Sequence, residues 1–454
     1  MSEENKTENP LGYESIGKLL RGFAIPSIIA MLVSSLYNVV DQIFIGQGVG
    51  FLGNAATNVS FPLTTICMAI TLTIGIGSAS RYSLYLGQKQ EEKAARVVGN
   101  GFCMMVTFGV LYAIVVELFL PYLLHAFGVT PDTLAYAMTY SRITAMGMPF
   151  LVIMNGMSNL ARADGSPIFS MTTMVVGAII NTILDPIFIF IFHWGVAGAA
   201  WATVIGQIAS ALMATWYMKK FKRVVIKLSY FRLSLYQIKK TITMGMSNGL
   251  TQLAITLVQV VMNRSLIHYG NLSIYGSDIP LAASGIVMKV NSIVFAVLIG
   301  ITQGVQPILG FNYGAKLYDR VKKTYKLAIV CVVSVGAVAL FVFQVFPERV
   351  LMIFGKENEL YMEFAVRFMR TFLLMLPLSG VHMISSNLFA AIGKPVRGAM
   401  LSLTRQVFFL IPLMLILPLF FGIKGVLMAA PSADFLAFLV VLIFVSKEMR
   451  GMKE

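Results

Sequence analysis

The amino-acid sequence predicts an all-α integral membrane protein of twelve transmembrane helices, arranged as two six-helix lobes related by a pseudo-two-fold axis. Composition is the first reason: of 454 residues, 57% are hydrophobic and only 12% charged, whereas soluble chains carry about 25% charged residues. Length is the second, because apolar runs of about 20 residues, enough to cross ~30 Å of hydrocarbon as helix, recur from residue 19 to residue 446. Internal repetition is the third, since the second half of the chain repeats the first at an offset of half its length.

Spans are expected near 18–46, 53–80, 94–120, 132–158, 167–191, 195–218, 237–266, 280–309, 320–345, 359–388, 395–420 and 424–446. Their connections alternate in charge. One side carries Lys89, Lys93 and Arg96, the runs Lys219 to Lys240 and Lys316 to Lys326, and Lys447 to Lys453; the other carries Arg349, Lys356 and Lys424. Positive loops remain cytoplasmic, so both termini are expected inside a cell membrane. The net charge of +15 then reports topology, and no nucleic-acid partner is expected. The chain divides into a cytoplasmic leader 1–17, an N-lobe 18–218, a basic cytoplasmic linker 219–236, a C-lobe 237–446 and a cytoplasmic tail 447–454. The polar leader runs directly into a Pro-containing helix, so no removed signal peptide is expected. Cys67, Cys103 and Cys331 stand alone in apolar stretches, which suggests neither disulfide nor zinc framework.

The repeat clusters at turns and helix breaks. Pro121 falls on Pro347, Phe127-Gly128 on Phe354-Gly355, Arg142 on Arg370, Pro149 on Pro377 and Asn159-Leu160 on Asn387-Leu388. Gly165-x-Pro167 matches Gly393-x-Pro395, and Gly195-Val-Ala-Gly198 matches Gly422-Ile-Lys-Gly425. Six spans per half is an even number, so the repeats are parallel and their axis lies along the membrane normal. Two such bundles suit alternating access, with a cavity between them opening to either face by rocking.

The first span carries the first anomaly. Ser34, Asn38 and Asp41 share one helical face, and an ionised carboxylate at mid-bilayer costs roughly 3 kcal/mol or more, so Asp41 needs a partner, a proton or a cation. Asp185 in the fifth span is the second, with Asn181 one turn earlier on the same face. Pro186 follows at once and frees the carbonyl four residues back, at Thr182. In the sixth span Thr203 adds a hydroxyl amid the small residues of Gly198-Ala-Ala-Trp-Ala-Thr203, which allow close helix approach. Asp41, Asn181, Asp185 and Thr203 make an all-oxygen set suited to Na⁺, and the two acids alternatively share protons. A plainer reading stays open, in which both acids bond between helices or pair with Arg142.

Polar stripes mark the second half. Gln252, Thr256, Gln259 and Asn263 lie at helical spacing on span seven, and Ser284, Met288 and Asn291 on span eight. Together with Tyr37 and Asn38 they are candidate walls of a substrate cavity, although polar residues also join packed helices. Asp434 in span twelve aligns with Gln207 and is a candidate proton or drug-cation partner.

As an ordered set these residues resemble the multidrug and toxic compound extrusion (MATE) family, within it the MepA-like and DinF-like branches. The resemblance rests on twelve spans in two lobes, Pro26 with Asp41 fifteen residues on, Asn181-x-x-x-Asp185, Gly198-x-x-x-x-Thr203 and the two Gly-x-Pro loops. It implies a V-shaped pair of bundles exporting cationic or amphipathic compounds in exchange for Na⁺ or H⁺. It also implies that Asp41, Asn181, Asp185 and Thr203 form an N-lobe ion site, and that Pro26 bends the first helix when that site fills. The NorM-like branch places acids in spans seven and ten; residues 237–266 and 365–388 contain none.

The chain is thus expected to be a monomeric transporter, not an enzyme, with no cofactor beyond Na⁺ as a coupling ion. Gly245-Met-Ser-Asn-Gly249 fits the hydrolase GxSxG pattern but opens an apolar helix, without the strand-to-helix elbow that chemistry requires. The four histidines lack metal-ligand spacing. Two competitors remain: a flippase of anionic lipid-linked precursors, which needs a strongly basic cavity and could draw on Arg142, Arg264, Lys289, Arg370 and Arg405, and a membrane sensor or scaffold that moves nothing.

Overall fold

A computed structural model describes residues 9–353 and 359–452. Lys6, the Phe354-Gly355 pair, Lys356 and Lys453 therefore lie outside the described residues. Among the described residues, eleven helices are long and apolar enough to span a membrane, and a bent pair makes twelve if it counts as one span. They are α1 (Ile16–Gly48), α2 (Leu52–Gly87), α3 (Glu91–Ala126), α4 (Pro131–Ala163), α5 (Pro167–Ile191) and α6 (Val196–Lys220) in the first half. The second half contributes α7 (Leu235–Asn271), α8 (Asp278–Gly314), α9 (Tyr318–Val345), the pair α10 (Glu359–Phe372 with Leu376–Ala391), α11 (Pro395–Phe421) and α12 (Ile423–Gly451).

The helices outrun the expected spans. Hydropathy marks only the part inside hydrocarbon, whereas a helix continues as long as its backbone bonds close, so α2 extends to Gly87 and α8 to Gly314. Tilted spans longer than the apolar thickness are ordinary in membranes. In α10 the chain bends by 46° between Phe372 and Leu376. Pro377 explains where the second segment starts, because proline fits the first turn of a helix, where its missing N–H costs nothing. Its sequence partner Pro149 lies inside an unbroken α4, so the two halves differ here.

Pseudo-symmetry is visible in the backbone. Lys89 and Lys316 both take positive φ, 58° and 59°, at the turns after α2 and α8. Gly165 and Gly393 (85° and 82°) close α4 and α10, and Gly195 and Gly422 (56° and 55°) open α6 and α12. Each half builds its own core. Met104, Met105, Leu120, Val152 and Leu160 centre that of the first half; Met262, Phe364, Phe368, Met414 and Val426 centre one in the second.

α1 and α7 cross between these cores. Leu20 and Ala24 of α1 pack with Leu298, Ile301 and Val305 of α8, whereas Ile45 packs with Ile189 of α5 and Ala199 of α6. The crossing depends on glycine. A Cβ at Gly304 would lie 2.7 Å from the Ala24 Cα, and one at Gly245 of α7 only 1.7 Å from the Thr73 carbonyl oxygen of α2. Arg81 of α2 adds hydrogen bonds to the Gln237 carbonyl (3.1 Å) and Thr241 Oγ1 (2.9 Å) of α7, and Gln306 Nε2 of α8 donates to Ser80 Oγ (2.7 Å). These contacts lie toward the basic end of the molecule, where α1 and α7 begin.

The leader's last residues are also structured. Pro10–Tyr13 form a helical turn, and Asn312 Nδ2 and Arg320 Nη2 each donate to the Leu11 carbonyl at 3.0 Å. The linker packs on the first half, where Asn100 Nδ2 donates to the Arg232 carbonyl (2.6 Å) and the Lys222 N–H to Asp164 Oδ2 (2.7 Å).

Candidate functional site

The site begins where α5 and α6 cross. A Cβ at Gly177 would lie 2.2 Å from Ser210 Oγ, and one at Gly206 2.7 Å from the Gly177 carbonyl oxygen, so small residues set the spacing of the two helices. One turn from this crossing, Asn181 Nδ2 reaches Thr203 Oγ1 at 3.2 Å and Asp185 Oδ1 at 3.3 Å. Pro186 then ends the α-helical part of α5, and Ile187–Ile191 wind as a π-helical turn, a feature common at functional sites.

α1 docks on that turn. Gly48 lies so close that a Cβ would sit 2.1 Å from Ile189 Cγ2. Two turns earlier Asp41 faces α5, and its carboxyl meets that of Asp185 within hydrogen-bonding range. Both are buried, Asp41 7% exposed and Asp185 fully enclosed. Asp41 Oδ1, Asn181 Oδ1 and Asp185 Oδ2 are buried oxygens without a protein partner. Among the described residues neither acid is paired with Lys, Arg or His.

Two carboxylates in contact at low dielectric repel strongly unless a proton or a cation lies between them. Two carboxylates with an amide and a hydroxyl oxygen form a hard donor set of the kind that suits oxygen-seeking cations. The residues present therefore fit either a proton or Na⁺.

A cavity of about 210 Å³ adjoins this cluster. Tyr37, Asn181 and Thr203 line it, Met31, Met68, Met154 and Met174 give it a polarizable wall, and Gln252 of α7 and Gln303 of α8 close it from the second half. Ser158, Asn159 and Arg162 of α4 form another part of the lining.

The remaining expected residues land elsewhere. Asn38 is exposed, its Nδ2 bonded back to the Ser34 carbonyl at 2.6 Å. Gln259 Nε2 donates to Asn263 Oδ1 at 3.0 Å, so that stripe bonds to itself. Met288 is half-buried and Asn291 buried, and neither lines the cavity. Asp434 is buried in the second half, accepting from Arg405 Nε (2.5 Å) and Ser379 Oγ (2.8 Å). Arg142 is exposed beside Glu117 (3.1 Å), remote from the pairing with Asp41 that a plain reading allowed. Pro26 is buried within one continuous helix, Ile16–Gly48. Sequence reading did not single out Tyr140, which packs against Ile143 of its own helix and Ala200 and Val204 of α6, or Arg162, which lines the cavity.

With this geometry in place, comparison with known proteins is informative. The MatE family model matches residues 26–187 and 248–416. Multidrug export protein MepA of Staphylococcus haemolyticus is 27% identical over 436 residues, covering 94% of this chain and 93% of that protein. The protein of the same name from Staphylococcus aureus is 25% identical over 433 residues, covering 94% and 93%. A crystal structure described as MATE in the straight conformation is 22% identical and covers 98% of both chains with a TM-score of 0.91, which establishes likeness of fold.

Proposed function

Because the chain belongs to the MatE family of multidrug efflux transporters, we propose that it exports cationic or amphipathic small molecules in exchange for H⁺ or Na⁺. The observation that carries this reading is the buried Asp41–Asp185 contact, in which oxygens of both acids lack a protein partner. In the outward-facing stage Asp41 and Asp185 take up the coupling ion with help from Asn181 and Thr203, and the neutralised pair lets α1 repack. The lobes 18–218 and 237–446 then rock about the glycine seam, with 219–236 as their link. Both termini are cytoplasmic, and the protein acts as a monomer. The driving force is adequate, since one charge crossing 100 mV releases ~2.3 kcal/mol.

A flippase for anionic precursors fits less well. Arg162 is the one basic side chain among the cavity's lining residues, and Arg405, one of the arginines that reading relied on, is engaged by Asp434. In proteoliposomes, efflux of an ethidium-like dye should follow an imposed proton or sodium gradient. Asp41→Asn and Asp185→Asn should each abolish that gradient dependence while leaving folded protein in the membrane. Undiminished gradient-driven efflux in both single variants would remove ion coupling at this site.

A further inference from the structure

A second cavity, separate from the one beside the acid cluster, lies between the two halves at the basic end of the molecule. Its volume is about 820 Å³, within the roughly 300–1,000 Å³ that holds small organic ligands. Arg81 of α2 lines it from the first half. Lys239 and Lys240 of α7, with Lys394 and Arg397 at the turn from α10 into α11, line it from the second, and among the described residues none of its lining is acidic.

Most of these cations have no counter-charge. Arg81 is 4% exposed; its guanidinium donates to the Gln237 carbonyl, Gln237 Oε1 and Thr241 Oγ1, all neutral, and lies over the Tyr85 ring at 5.7 Å. Lys240 lies over the Tyr236 ring at 4.3 Å. Among the described residues Arg81, Lys239 and Lys240 have no carboxylate within ion-pair range, whereas Lys394 and Arg397 share Glu448 of α12. One acid thus stands against five cations.

Topology accounts for positive loops but not for this convergence. The matching turn of the first half, Gly165-Ser166-Pro167-Ile168-Phe169, is uncharged where Gly393-Lys394-Pro395-Val396-Arg397 carries two cations, so the turn itself does not require them. At the offset that carries Lys89 onto Lys316, Arg81 falls on Ile308, an apolar core residue. A cleft with low-dielectric walls and one sign of charge focuses its field and gathers ions of the opposite sign. Arginine and lysine together suit phosphate, the one as a fork and the other as a point charge. The rim is apolar on one side: Val396 lines the cavity and is exposed, and Met400, one turn further along α11, is exposed as well. Basic pockets between membrane helices of this kind suit anionic lipid head groups.

We propose that this cavity binds a phosphate-bearing anion, in the first place the head group of an anionic phospholipid whose chains leave over Val396 and Met400. Held among Arg81 and the cations of α7 and α11, the head group contacts both halves beside the glycine seam. The site is independent of the export reading and of the ion at Asp41 and Asp185.

Native mass spectrometry of the purified full-length protein in a neutral detergent tests the lipid, with phosphatidylglycerol set against phosphatidylcholine of the same chains; calorimetric titration with inorganic phosphate tests the free ion. Wild type should retain one phosphatidylglycerol about tenfold more tightly than phosphatidylcholine, whose choline cancels the phosphate charge. Lys239→Gln combined with Lys240→Gln should remove most of that preference, each lysine near a membrane surface being worth about fivefold. Lys322→Gln combined with Lys323→Gln, cations of the same end but outside the cavity, should keep it. Saturable uptake of inorganic phosphate that the Lys239 and Lys240 changes abolish, without any lipid preference, supports the site and assigns it to a soluble phosphate. A wild type that neither prefers phosphatidylglycerol nor takes up phosphate overturns the proposal, and needs no variant to fold. A preference that survives the Lys239 and Lys240 changes, or is lost equally with Lys322 and Lys323, overturns it too, because the effect is then one of general surface charge.

Discussion

Asp41 and Asp434 are both aspartates buried within the membrane-spanning helices, and their surroundings give them opposite parts. Asp434 accepts from Arg405 and Ser379, so its charge is balanced within the protein. Asp41 meets another acid, so its balance must come from outside. Removing one partner of a buried ion pair costs about 3–5 kcal/mol, because the other charge is left stranded. Asp434→Asn should accordingly lower the unfolding temperature clearly while retaining gradient-dependent efflux. Asp41→Asn should leave thermal stability level or raised and lose coupling; thermal melts on the two purified variants, beside the efflux assay, check the dissociation. If Asp434→Asn melts like wild type yet loses coupling, the second half holds an ion site after all. At this scale the acids were legible because carboxylates among apolar residues are costly wherever they occur. Arg162 was not, since an arginine at the end of an expected span reads as topology until packing shows that it is buried. Tyr140 was hidden for a related reason: a tyrosine in an apolar span is ordinary, and only the fold packs it against Ala200 and Val204 of α6.

Within single helices, prolines divide into those that break and those that do not. Pro186 stands before a π-helical turn, and Pro377 opens the second segment of α10, but Pro26 leaves α1 as one helix. A proline inside a helix removes a hydrogen bond from the ladder, so α1 is weakened within the part docked on α8, where Ile28 lies against Gly300. Leu20 and Ala24 hold the near part against α8, and Ile45 holds the far part against α5 and α6. If the two cores move apart in the proposed cycle, a helix fastened to both must give, and the missing bond at Pro26 is a place where it can. Pro26→Ala restores the missing bond and should slow turnover while drug binding stays close to wild type. Single-turnover efflux against dye affinity measures the split, and an unchanged rate would make the kink purely architectural. The repeat exposed the turns because left-handed residues demand particular side chains and so leave a mark in the sequence. It missed the bend in α10, where matched prolines sit in unlike backbones.

Across the whole molecule, the two halves meet through glycine contacts concentrated toward one end, the end at which the basic loops gather. Gly304 against Ala24 and Gly245 against Thr73 permit backbone approach, and Gln306 to Ser80 and Arg81 to Thr241 add polar links. Such a seam is well suited to reversible opening. Backbone contacts through glycine depend on shape more than on buried apolar area, and each hydrogen bond nets only about 0.5–1.5 kcal/mol once water can replace it. Rocking requires that these contacts separate in every cycle. Ser80→Cys with Gln306→Cys, in a background from which Cys67, Cys103 and Cys331 have been replaced, places one thiol on α2 and one on α8 where side chains now touch. Joining them with a short, reducible bis-thiosulfonate reagent should stop dye efflux, and reduction should restore it, while dye binding in the absence of a gradient persists throughout. The single-cysteine variants treated in the same way should transport normally, which separates the effect of the bridge from that of modification. If the bridged protein transports at the rate of the unbridged one, the seam does not open during the cycle, and alternation must arise by rearrangement within each lobe.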